Sequence, residues 1–193
     1  RLAELYGAYD EQCQREGVVD FAELLLRAYE LLQRNQPLRQ HYQQRFRHIL
    51  IDEFQDTNDL QYRWLTLLAG GGASLFAVGD DDQSIYAFRG ANVGNMAAFE
   101  RDYAGPQLIR LEQNYRSHAH ILDSANHLIR QNAHRLGKDL WTDAGEGEPV
   151  RIFAAFSDRD EAQWLLEEIR ALVADGMSRS EIAILYRSNA QSR

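Results

Sequence analysis

Apolar positions recur at a helical period through the first 46 residues. Leu2, Leu5, Tyr6, Tyr9 and Cys13 share one face of a predicted helix over 1–15. Asp20, followed three residues later by Glu23, reads as a capping box opening a second helix over 21–33, and a third is expected over 38–46. The period then changes. His48-Ile49-Leu50-Ile51 is a short apolar run ending in acids, as a buried parallel strand would be, and helical spacing resumes over 60–68 with Trp64, Leu65 and Leu68 on the buried face. A second strand, 74–78, follows the Gly70-Gly71-Gly72 turn and stops at Gly79 and an acidic turn. Further strands are expected over 107–111, 150–155 and 182–186. Helices are expected over 119–131 and 160–174, the latter burying Trp164, Leu165 and Ile169. Strands alternating with helices argue for an α/β fold of parallel layers with both sheet faces covered. Gly105-Pro106 is the expected boundary between two units, and 142–149 a long surface loop in the second.

Composition narrows the class. With 193 residues, 45% hydrophobic, the chain can bury one large core or two small ones. A lone cysteine, Cys13, read as a small buried hydrophobe, excludes an intrachain disulfide. No apolar run reaches the roughly 18–20 residues that span a bilayer, so the expectation is a cytoplasmic protein without a membrane partner. The net charge of −8 excludes a uniformly basic nucleic-acid coat but leaves room for a local basic groove. Arg1 follows no initiator Met or signal sequence, and the expectation is an internal stretch of a longer protein. Residues 51–105 hold nine acids against three arginines, and Lys138 is the only lysine in the chain.

That acidity gathers at strand ends. Ligands of open α/β sheets bind beyond the carboxyl ends of strands, where Asp52-Glu53 and Asp80-Asp81-Asp82 fall. A nucleotide-hydrolysing site needs one carboxylate to hold Mg²⁺ and a second to polarise water. Acids at a solvated helix N-terminus are the bland alternative. The six histidines show no metal-ligand spacing.

The continuation of these runs is more specific. Residues 48–58, HILIDEFQDTN, and 78–91, VGDDDQSIYAFRGA, resemble motifs II and III of superfamily 1 DNA helicases of the UvrD/Rep/PcrA group. Residues 111–117, LEQNYRS, resemble motif IV, and 186–193, YRSNAQSR, resemble motif IVa. The resemblance implies a P-loop NTPase (RecA-like) fold. Residues 1–105 would be the end of the 1B insertion and the later part of domain 1A, and 106–193 the first part of domain 2A. It also implies ATP with Mg²⁺, single-stranded and partly duplex DNA as substrate, 3′-to-5′ polarity, a role in DNA repair and replication, and DNA repair proteins as partners.

Residue by residue, the resemblance makes Asp52 the Mg²⁺ carboxylate and Glu53 the base beside it. Gln83 becomes the γ-phosphate sensor, suited to an amide that both donates and accepts. Gln55 and Asp56 would couple the site to DNA and the neighbouring domain; a helix N-cap at Asp56 or Thr57 is an equal account. Tyr86 and Phe88, on one face of an extended segment, would stack on bases, or else be core. The family usually has Trp at Phe88 and often Arg or Gly at Ala87, which weakens a charged contact there. Arg89 is expected to pair with the acidic cluster. Tyr115 would carry adenine, and Arg116 would be an arginine finger reaching the γ-phosphate. Arg187 and Asn189 resemble a single-strand DNA contact, with a frayed terminus as the alternative.

A helicase of this type also needs a Gly-Lys-[Ser/Thr] phosphate loop. Lys138 follows Gly137 but has no glycine loop before it and no hydroxyl after it, so no such loop occurs in the sequence. Motifs V and VI would lie beyond Arg193. The chain alone is expected to be without significant ATPase activity. The competing classes are a metal nuclease, disfavoured because no lysine is expected near the carboxylates, and a non-catalytic interaction module derived from a truncated helicase. An uncovered sheet edge could also make the chain self-associate.

Overall fold

The structure, a computed structural model, describes residues 1–103, 107–133 and 135–189. The boundary expected at Gly105-Pro106, like the last four residues of the motif IVa match, lies outside them. The first half runs α1 (Leu2–Glu16), α2 (Phe21–Arg34), α3 (Gln36–Arg45), β1 (His48–Ile51), α4 (Asp59–Ala69), β2 (Ser74–Ala77) and α5 (Gly94–Asp102). The second contains α6 (Ala119–Ile129) and α7 (Asp158–Ala174).

Local chemistry accounts for the helix ends. Gly17 ends α1 in the left-handed region at φ 65°, returning its N–H to the Cys13 and Gln14 carbonyls. Asp20 caps α2 by accepting the Glu23 N–H at 2.8 Å, while the Glu23 carboxylate pairs with Arg27 rather than closing the box. Asn58 caps α4 in a complete capping box with Gln61, which leaves Asp56 and Thr57 out of the N-cap role. Cys13 is half-buried, and α1 buries none of its residues.

β1 and β2 are adjacent and parallel, with His48 opposite Ser74 and Ile51 opposite Ala77, so both acidic turns leave the same end of the sheet. One sheet face is covered. Ile49, Ile51, Leu75 and Ala77 pack on Phe54, Tyr62 and Leu65, joined by Met96 and Phe99 of α5. On the other face Leu50 and Phe76 are 78% and 60% exposed, so the expectation of two covered faces is not met among the described residues. Leu65 and Leu68 are buried and Trp64 half-buried, as the helical spacing implies.

α5 has no counterpart in the hydrophobic pattern. It is anchored by polar contacts: the Asn92 side chain accepts the Gly94 N–H at 2.9 Å, and buried Asn95 donates its side-chain amide to the Thr57 carbonyl at 3.0 Å. At its far end Tyr62 donates its hydroxyl to Asp102 at 2.9 Å; burial and that carboxylate push the phenol pKa up.

None of the strands expected at 107–111, 150–155 and 182–186 forms. A strand exists only through a neighbour's ladder, and among the described residues these runs meet no sheet edge; Ile152 and Leu185 stay 95% exposed. Among the described residues, only a single parallel bridge, Gln113 to Trp141, is made there. The loop 142–149 is more than surface covering. It lies on the start of α6, where its Gly145 and Glu146 carbonyls accept the Ala119 and His120 N–H groups. In α7, Trp164, Leu165 and Ile169 are half-buried, and the Trp164 ring stacks on Phe153 with centroids 4.5 Å apart.

Candidate functional site

The two acidic turns are built into one structure by a glutamine. Gln55, only 1% exposed, donates its side-chain amide to the Glu53 carboxylate at 2.7 Å and accepts the Asp80 N–H on its carbonyl oxygen at 2.9 Å. The backbone repeats the connection through Phe54 N–H to the Val78 carbonyl at 2.9 Å. Gly79 permits the approach, since a Cβ there would stand 2.9 Å from the Gln55 carbonyl oxygen. Glu53 is the one non-glycine residue with positive φ among the described residues, at φ 49° and ψ 45°. Such a conformation costs about 1–2 kcal/mol and persists where surrounding contacts over-determine it. Here the buried Gln55 amide, bonded to the Glu53 carboxylate, does so.

Asp52 and Glu53 are both exposed. One Asp52 oxygen accepts the Glu53 N–H at 2.9 Å, and the other faces no protein donor among the described residues. Asp56 lies just behind, its Oδ1 buried with no partner among the described residues. Gln83 donates to Asp80 at 2.7 Å across the one-turn 3₁₀ helix Asp81–Gln83.

The cations meeting this acidic turn are not the expected one. Arg135 forks onto Asp82 with bonds of 2.8 and 2.6 Å, Lys138 pairs with Asp80, and the Leu136 N–H donates to Asp81 at 2.7 Å. A lysine therefore does lie against the carboxylates, and that ground for disfavouring a metal nuclease falls. A different one replaces it. Asp80–Asp82 is the only group of three potential metal ligands among the described residues, and two of its three carboxylates are already paired with cations. Burial pushes the Asp80 carboxyl up, but bonds from Lys138 and Gln83, with the lysine's charge, outweigh it and hold the group below the usual carboxylate range.

Arg89 instead lies over the rings of Tyr86 and Phe88, 5.3 and 5.9 Å from their centroids. These rings belong to a 3₁₀ turn rather than an extended segment, because Gly90 at φ 87° and the Arg89 N–H to Tyr86 carbonyl bond close the chain. They remain neighbours, 6.0 Å between centroids, with Phe88 77% exposed.

On the second half, Asn114 accepts the N–H groups of Arg116 and Ser117, each at 2.8 Å, in a turn that leaves Tyr115 exposed. Arg116 is exposed, and no hydrogen bond or ion pair joins it or Tyr115 to Asp52 or Glu53 among the described residues. Arg187 and Asn189 are exposed and engaged with other residues. The sequence reading missed Gln55 as the support of Glu53, and it missed the Arg135–Lys138 segment. The local acid excess was the signal that a cation must come from elsewhere.

Comparison with known proteins identifies the family of the chain. Residues 1–104 match the UvrD/REP helicase N-terminal domain, and 109–193 the UvrD-like helicase C-terminal domain. DNA helicase II of Escherichia coli is 54% identical over 190 residues, 98% of this chain and 26% of that protein. ATP-dependent DNA helicase PcrA of Leuconostoc citreum is 44% identical over 193 residues, again 26% of its length. The chain thus spans about a quarter of the length of the curated relatives it matches. With the two matches together running from residue 1 to residue 193, the chain belongs to the UvrD/REP helicase family.

Proposed function

We propose that this chain forms part of an ATP-dependent 3′-to-5′ DNA helicase, a single-strand DNA translocase of repair and replication, with residues 1–105 as the end of the 1B insertion and the later part of RecA-like domain 1A, and 106–193 as the first part of domain 2A. The observation that carries the reading is Glu53, an exposed carboxylate held in a left-handed backbone by buried Gln55 at the mouth of a parallel sheet. In this reading Glu53 takes the proton of the attacking water, and Gln83, already oriented by Asp80, contacts the γ-phosphate. Asp52 fits Mg²⁺: it is an exposed hard oxygen donor with one oxygen uncommitted among the described residues. When bound, that ion neutralises charge on the phosphate oxygens. Tyr115, presented on its turn, carries the adenine face, and Arg116 reaches the phosphates from the second domain. The orphaned Asp56 oxygen and Gln55 suit a coupling role.

Tyr86, Phe88, Arg187 and Asn189 form the DNA contacts, and Arg89 holds the two rings together rather than serving the acidic turn. Phe88→Ala is expected to weaken single-strand affinity by about 1–3 kcal/mol, measured by fluorescence anisotropy at fixed salt. Its thermal unfolding should be unchanged, because the ring buries little. An unchanged affinity would remove Phe88 from the DNA face.

The decisive experiment is ATP hydrolysis with and without single-stranded DNA. It compares this chain with a longer protein that adds a Gly-Lys-[Ser/Thr] phosphate loop and the remaining motifs. Turnover is expected only from the longer protein, since the lysine and backbone cradle supply the phosphate binding this sequence lacks. Turnover by this chain alone, or none by the longer protein, would overturn the proposal.

A further inference from the structure

Three acids in succession at Asp80–Asp82 would repel one another and any phosphate placed nearby, unless cations are supplied. Residues 51–105 contribute only Arg63, Arg89 and Arg101. Arg89 is turned to the rings, and Arg101 pairs with Asp102. The cations come from more than 50 residues away, in the segment just after α6.

Three points fasten that segment: Arg135 on Asp82, the Leu136 N–H on Asp81 and Lys138 on Asp80. The Arg135–Asp82 fork is nearly dry, with side chains 12% and 13% exposed, and Lys138–Asp80 stands at 17% and 23%. Lys138 also lies 3.9 Å from Asp82, and Arg135 donates to the Lys138 carbonyl at 2.9 Å, so the two cations support each other. Pairs this sheltered are screened far less by salt than surface pairs, and removing one partner leaves an uncompensated charge. The carboxylate that Lys138 neutralises is also the one that accepts from Gln83, and its own N–H is held by Gln55, the support of Glu53. An unbroken path of bonds therefore runs from Lys138 through Asp80 to Gln83 and, through Gln55, to Glu53.

We infer that Lys138 and Arg135 are positioning residues: from the second half of the chain they clasp the Asp80–Asp82 turn and set Gln83 and Glu53 for ATP hydrolysis. The catalytic half of this statement rests on the proposed function, whereas the clasp itself does not.

The test has two arms. In this chain Lys138 is the only lysine, so an amine-reactive acylating reagent reports on it and on the α-amino group alone, the two being separated by peptide mapping. Asp80→Asn is expected to raise the Lys138 labelling rate severalfold against the α-amino group. Equal rates in the two proteins overturn the clasp. In the longer protein, Lys138→Met is expected to lower kcat roughly tenfold with KM for ATP changed less than about twofold, and Lys138→Arg to restore most of it. An unchanged kcat, a loss that only tracks the folded fraction, or failure of arginine to rescue overturns the positioning role. If the unaltered longer protein does not hydrolyse ATP, the proposed function fails, the positioning role fails with it, and labelling alone decides the clasp.

Discussion

Glu53→Gln in a longer protein carrying this chain is expected to lower DNA-stimulated ATP turnover by about 10²–10⁴-fold, the range for removal of a general base. The substitution separates chemistry from architecture. A glutamine at 53 has the size of the glutamate, and its amide oxygen can still accept the Gln55 N–H bond now 2.7 Å long. The strained backbone is unchanged because neither residue escapes the left-handed penalty. What disappears is the basic oxygen that, in the proposed mechanism, takes the proton of the attacking water. Steady-state hydrolysis at saturating single-stranded DNA should fall, while DNA affinity by anisotropy and the unfolding midpoint stay where they were. A loss smaller than about tenfold would remove Glu53 from the base role, because positioning effects alone reach that size.

The residues to which this chemistry is assigned were singled out because each sits where a pattern breaks. Ile51 ends an apolar run at Asp52, and Val78 ends another before Asp80; both runs form the parallel strands expected of them. The six expected helices form with ends shifted by a residue or two, since their amphipathic spacing and their caps at Asp20 and Asn58 agree. Gln55 was not readable as a support, because an amide between an aromatic and an acid reads as solvent-facing until its burial is known. Nor was α5, which begins at a glycine within an Asn-Val-Gly-Asn run that reads as a turn and gains its hold through Asn95 on Thr57. The strands expected after residue 106 fail for another reason. Their composition is right, but pairing is a property of the neighbour, which local sequence does not contain. The Lys138 clasp lay between these cases: charge imbalance announced that a cation was needed, and only the fold could say which one.

The largest stability effect is expected at Phe54→Ala. Phe54 is 2% exposed and forms the centre of the core with Tyr62 and Leu65, its ring edge-on to Phe99 at 5.3 Å. Truncating such a ring costs about 3–5 kcal/mol through lost transfer energy and the cavity left behind. Native domains have only about 5–15 kcal/mol in total, and here the fully buried apolar residues are few. Urea unfolding followed by far-UV circular dichroism should show the midpoint falling to a small fraction of the parent value. Phe54→Leu retains most of the volume and should cost less than about 2 kcal/mol. The comparison also bears on function, because Phe54 stands between Glu53 and Gln55 and its N–H is bonded to Val78. A leucine that keeps the fold but loosens this packing should let Glu53 relax from its left-handed conformation. In the longer protein kcat should then fall further than the change in folded fraction explains. If Phe54→Ala unfolds at nearly the parent midpoint, the core lies elsewhere and the rigid seat assigned to Glu53 has no foundation.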